Sequence, residues 1–271
     1  MIVQSAETGQ PHFVIASTDH ATMAHQFAQM FGNETFSAPD PVDLMGYVVR
    51  NHEAGWEALD QQPLRNPKTG LPYHLSEIPE LLHIQKARLS PVLNEQYHAF
   101  CGLLSSMHEW GLYNRRYGLS DKALISEVSD ENRDALNAFL KDQLDYQGRL
   151  KAKLADDPAT AGLIEPARLF HSYKLLEFFD TLALYFNRFH EGSWETEIYA
   201  NVPRHVENDV TVIVRPLRPG TVTVDPWPFH PNCFEVSCVG RYLRPLTGEM
   251  DMAEMFRTTA VEVQTFVVAA A

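Results

Sequence analysis

The chain has 271 residues, with 22 Lys and Arg against 35 Asp and Glu and a formal net charge of −13. That length buries an ample core without disulfides, and Cys101, Cys233 and Cys238 are odd in number and at no metal-ligand spacing. The negative field disfavours nucleic acid, no window nears the ~20 apolar residues of a membrane span, and the opening MIVQSAETGQPHFV lacks a basic flank and an apolar stretch. The expectation is a cytoplasmic protein that takes a small-molecule ligand, with no nucleic acid and no membrane as partner.

In chain order, residues 12–16 predict a short strand, and Ser17-Thr18-Asp19 offers capping oxygens for a helix over 19–31. Met23, Phe27, Met30 and Phe31 recur there at helical spacing and place His20 near the buried face, and Gly32-Asn33 stops the helix. After Ala38-Pro39-Asp40-Pro41, a second helix over 42–59 sets His52 and Glu53 beside Tyr47, Val48, Val49 and Trp56. The breakers Asn66-Pro67, Thr69-Gly70 and Leu71-Pro72 predict a long ordered loop over 63–79, of the kind that borders active sites.

Helical periodicity returns over 78–93, with His83, and over 96–110, with His108 behind Leu103, Leu104 and Met107. The polar stretch 120–157 predicts a solvent-facing helix over 130–154 with one apolar stripe. The last helix, over 165–189, carries Asp180 inside SYKLLEFFDTLALYF. From residue 198 onward the texture changes to β-branched runs at 210–214, 221–224 and 234–239, separated by proline and glycine. The fold expectation is α+β: a mainly helical domain over 1–194 and a small β-rich module over 195–271 packed upon it.

Four histidines, His20, His52, His83 and His108, thus fall on four successive helices at apolar-rich positions, and Asp180 falls on a fifth. A carboxylate alone in a low-dielectric core costs several kcal/mol, which a metal ion or an imidazole neighbour offsets. A divalent metal held by imidazoles and carboxylates also activates water at neutral pH. The competing reading is of core histidines hydrogen-bonded to backbone, with Asp180 capping a helix or pairing with Lys174 or Arg168. Trp56 and Trp110 line a pocket or are plain core. His230 and the acidic run at 249–254 read as surface, and PWPF (226–229) reads as a wedge of two aromatic rings between the β-rich module and the helices. No Gly-x-Ser-x-Gly elbow is present, and Cys101 has no adjacent base.

The succession of histidine, histidine-acid doublet, further histidines and late aspartate resembles the HD superfamily of metal-dependent phosphohydrolases, with His52-Glu53 in place of the His-Asp doublet. Glutamate is one methylene longer, which moves the carboxylate by about an ångström or more. A closer resemblance is to an uncharacterised bacterial family, domain-of-unknown-function family 3891. It is carried by Met1-Ile2-Val3, Asp19-His20 with Ala24 and Phe27-Ala28, NHEAGW (51–56), NPKTGLPY (66–73), SSMHEWGLY (105–113), SYKLLEFFDTLAL (172–184) and PWPF. These resemblances imply an HD-like helical domain binding a divalent metal (Fe, Mn, Zn or Ni) through His20, His52, Glu53, His108 and Asp180. They imply hydrolysis of a small phosphate ester, with His83, Lys174 and Arg115 as catalytic candidates and Arg115, Arg116 or Lys174 offsetting phosphate charge. The alternative is a non-catalytic binding or interaction protein on a degenerate HD-like scaffold.

Overall fold

The computed structural model describes residues 1–120, 128–248 and 250–271; Glu249 and the start of the polar stretch, 121–127, lie outside the described residues. Helix α1 (Ser17–Met30) buries Met23, Ala24 and Phe27 and ends before Gly32, whose φ of +114° and 2.9 Å approach to Ala38 admit no side chain. Helix α2 (Val42–Asn51) is shorter than its apolar pattern predicts. The chain breaks at His52-Glu53 and resumes as a 3₁₀ turn (Ala54–Trp56) and α3 (Glu57–Gln61). The break is held by packing, because a Cβ on Gly55 would stand 2.7 Å from the Lys86 carbonyl, and the Gly55 N–H donates to Ser90 Oγ at 3.0 Å.

The helix expected over 78–93 is two, α4 (Glu80–Ala87) and α5 (Leu89–Tyr97). Pro91 explains the division, since its ring excludes the carbonyl four residues back. Helix α6 (Ala99–Tyr113) is buried along nearly its whole length, α7 (Arg115–Gly118) is one irregular turn, and α8 (Arg133–Ala155) covers one side with a single apolar stripe. Helix α9 (Pro166–Arg188) starts with proline at its first turn and is buried on every face.

Among the described residues the strands form one seven-stranded sheet: β1 (Ile2–Val3), β2 (His12–Ile15), β3 (Glu197–His205), β4 (Asn208–Arg218), β5 (Thr221–Asp225), β6 (Cys233–Leu243) and β7 (Glu262–Ala270), in spatial order β1-β2-β6-β7-β5-β4-β3. The β5–β7 pair is parallel and the other pairs are antiparallel. The class is α+β. The N-terminal strands belong to the same sheet as the C-terminal ones, with Phe13 opposite Tyr242. A small helix, α10 (Met252–Thr258), overlaps the end of the run read as acidic surface (249–254) and buries Met252 from it and Phe256 beyond it. His230 is exposed. One continuous core joins α1, α6 and α9 to the sheet, with Phe27, Phe31, Phe178, Phe179 and Phe186 meeting Phe229, Val236 and Phe266. No helix is long and apolar enough to cross a membrane among the described residues.

The proline-rich segment over 63–79 is tied down at several points. Arg65 donates to the Leu246 carbonyl at 2.5 Å, the Leu246 N–H to the Gly70 carbonyl at 2.8 Å, and the Val3 N–H to His74 Nδ1 at 3.0 Å. Burial, then the nearby Arg188 guanidinium, push the His74 pKa down from 6.5 to about 4. The folded state therefore binds this proton less readily than the unfolded chain. Its contribution is full above pH 6.5 and is lost as pH falls towards 4, by at most about 3 kcal/mol. His83, also held near 4 by burial, acts in the same window. Melting temperatures recorded from pH 7 to 4 are expected to decline, and His74→Asn, whose amide oxygen can take the Val3 bond at any pH, to flatten part of that decline. An unchanged acid slope in the variant would refute the assignment.

Candidate metal centre

The break after α2 turns His52 inward at the point where α1, α6 and α9 come together. His20 from α1, His52, His108 from α6 and Asp180 from α9 are each at most 3 % exposed. The His20 and His52 rings lie 5.8 Å apart and the His52 and His108 rings 5.1 Å apart. Ligand atoms of His20, His52 and Asp180 all fall within 4.8 Å of one another, as do those of His52, Glu53 and His108, and those of His108, Glu177 and Asp180. These groups, buried except for the half-buried Glu53, could hold a metal ion.

The hydrogen bonds fix how the imidazoles present themselves. His20 Nδ1 lies 2.8 Å from Asn187 Oδ1, His52 Nδ1 2.7 Å from the Val49 carbonyl, and His108 Nδ1 2.7 Å from Glu177 Oε1. Each partner is an acceptor, so each Nδ1 carries the proton and donates. The neutral form of each ring then has its lone pair on Nε2, as an imidazole must to ligate a metal. His20 Nε2 faces Asp180 Oδ1 at 3.0 Å. His52 Nε2 is buried without a hydrogen-bond partner, its nearest acids being Asp180 Oδ1 at 3.7 Å and Glu53 Oε1 at 4.0 Å. An orphaned, inward-facing imidazole nitrogen beside two carboxylates is the local observation that fits a cation.

Electrostatics follow from burial and charge. Burial opposes a proton on His52, but Asp180 and Glu53 outweigh it and raise the pKa to about 9. Burial likewise works against charge on Asp180, yet His20, His52 and Arg116 hold it well below the carboxylate range. The Glu109 carboxyl, next to His108 and also buried, is pushed well above its usual value by burial and by Glu53.

His83, Trp56, Ser17, Leu112 and Leu184 line the same cavity, of about 50 Å³, together with Leu75, Ser76 and Ile78 from the proline-rich segment. His83 Nδ1 is 2.7 Å from the Tyr113 hydroxyl, and its ring sits 5.0 Å from that of Trp56. Trp110 lies against Tyr117 instead, at 4.6 Å. The structure does not bring Lys174 and Arg115 into this cluster. Lys174 holds both oxygens of Asp209 at 2.5 Å, and Arg115 is exposed. Arg168, a candidate partner for Asp180, pairs with Asp40 at 2.6 Å.

Three residues complete the cluster: Glu177 and Asn187, to which the sequence assigns no role, and Arg116, expected to face a phosphate and instead turned towards two carboxylates. Arg116 puts Nη1 2.9 Å from Glu177 Oε2 and Nη2 3.2 Å from Asp180 Oδ2, while Glu177 and Asn187 anchor His108 and His20. A signal for two of them was present: Glu177, Asp180 and Asn187 are spaced as one stripe on an otherwise apolar helix. Arg116 had none, because its inward path depends on an irregular turn.

Comparison with curated proteins and with solved structures found no match. A family model described as "Protein of unknown function (DUF3891)" matches residues 1–245, over which both the histidine cluster and its carboxylate partners lie, and the chain belongs to that family.

Proposed function

We propose that this chain is a metal-dependent hydrolase of a small phosphorylated molecule, with a buried divalent ion held by His20, His52, His108, Glu53 and Asp180 in an HD-like helical domain (1–194) backed by a β-rich module (195–271). The observation that carries the reading is the set of three imidazoles whose Nδ1 atoms all face acceptors, with the Nε2 atoms of His20 and His52 directed at Asp180. A divalent ion there supplies Lewis-acid activation of water and of the bond to be cleaved. The chain's own residues do the remainder. Asn187, Val49 and Glu177 fix ring orientation and tautomer, Trp56, Leu75, Leu112 and Leu184 limit solvent in the cavity, and neutral His83 at its wall is placed to accept a proton.

A non-catalytic binding role is favoured by one observation: Lys174 and Arg116, suited to offset phosphate charge, are both paired with carboxylates of the protein. Elemental analysis separates the two. Protein purified without chelator or nickel affinity is expected to carry iron, manganese, zinc or nickel, and His52→Ala to retain at least about tenfold less. Equal, empty preparations of matching stability, with heat stabilisation by a metabolite in the absence of metal, would establish the binding role instead.

A further inference from the structure

His108, Glu177 and Asp180 form a cluster able to take a cation of its own, next to the one formed by His20, His52 and Asp180. That second position is already served by the protein. The two oxygens of each carboxylate are divided between partners. Asp180 Oδ1 faces His20 and His52 while Oδ2 faces Arg116, and Glu177 Oε1 accepts from His108 while Oε2 faces Arg116.

The backbone that delivers this guanidinium is unusual. Arg115, Arg116 and Tyr117 have φ of +52°, +50° and +57°, followed by Gly118 at +89°. Left-handed conformation costs an L-residue roughly 1–2 kcal/mol, and a run of three persists only where surrounding contacts over-determine it. Here the contacts are buried ones: Arg116 is 7 % exposed and Tyr117 packs edge-on against Tyr173 at 5.0 Å. Charge balance agrees. The Glu53, Glu177 and Asp180 carboxylates are matched by one divalent ion and one guanidinium, whereas a second divalent ion would leave a buried excess of positive charge.

We infer that Arg116 occupies the place of a second metal ion, so that the centre takes one divalent cation and Arg116 is the positioning residue that holds Asp180 Oδ1 towards the histidines. This rests on the metal-centre reading above. The test is calorimetric titration of chelator-treated full-length protein with Zn²⁺ and with Mn²⁺, with bound metal counted by elemental analysis.

Native protein is expected to saturate at one equivalent and Arg116→Lys, which keeps the charge, also at one. Arg116→Ala and Arg116→Met are expected to take a second equivalent and to gain more thermal stability from added metal than native protein does. Near-UV circular dichroism checks that they fold. Native protein saturating at two equivalents overturns the inference whatever the variants do, and leaves the metal centre standing. Folded Arg116→Ala and Arg116→Met that saturate at one with unchanged affinity overturn it as well. Native protein that binds neither ion, and that carries no iron or nickel as purified, removes the metal centre and this inference together.

Discussion

Replacing Asp180 by asparagine is expected to lower the melting temperature by roughly 10 °C and to abolish metal retention. Asp180 faces His20 at 3.0 Å, His52 at 3.7 Å and Arg116 at 3.2 Å at the same time. All of these groups are buried. Removing one partner of a buried charge cluster leaves the others uncompensated, at about 3–5 kcal/mol, and each kcal/mol moves the midpoint of a chain of this size by about 2–4 °C. Asparagine keeps the shape and can still accept from His20, so the loss measured is that of charge. Scanning calorimetry on metal-free protein isolates this term from metal linkage. A shift of only about 2 °C would mean that the cluster is held by packing and not by charge.

The second large effect is expected at Phe229, the last residue of PWPF. Its ring is fully buried and meets Phe234 at 4.9 Å, Trp227 at 5.1 Å, Phe31 at 6.0 Å and Phe27 at 6.1 Å, so it touches both the sheet and α1. Truncation to alanine removes these contacts and leaves a cavity that a close-packed core fills poorly. The expected cost is about 3–5 kcal/mol. Because the ring bridges helices and strands, both are expected to melt in one transition at a lower midpoint. Denaturant unfolding followed by tryptophan fluorescence and by far-ultraviolet circular dichroism checks this. Separated transitions in the variant would show that the helical and β-rich parts hold together independently of this contact.

The helices were legible because their apolar residues repeat at helical spacing, and so were the positions of His20, His52, His108 and Asp180, polar groups on otherwise apolar stretches. Less legible was what tertiary contact decides. The break after Asn51 follows from Gly55 seated on α5, and that break sets His52 and Glu53 off the helix axis. Strands β3 and β7 were missed, the first lying mostly exposed at a sheet edge and the second ending in small residues. The sequence offers Arg116 only as a residue to offset phosphate charge, because nothing local signals a left-handed turn built from arginine and tyrosine. Glu177 shares a helical stripe with Asp180 and Asn187, but that spacing alone does not say which imidazole it meets.

The position of the N-terminal strands bears on how the molecule is made. Strand β2 pairs with β6 through Phe13 opposite Tyr242 and Val14 opposite Arg241, and Met1, Ile2 and Ser17 from that same end of the chain form a wall of the cavity beside His20. Contacts between residues so distant in sequence form slowly, since the intervening loop must be closed before they are rewarded. On the ribosome the helices can gather as they emerge, but β2, which pairs with β1 and runs into that wall, has no β6 to pair with until residue 243 has been synthesised. The centre is therefore expected to be completed among the last events of folding, and a chain interrupted before β6 to lack the strand that pairs with β2 beside it.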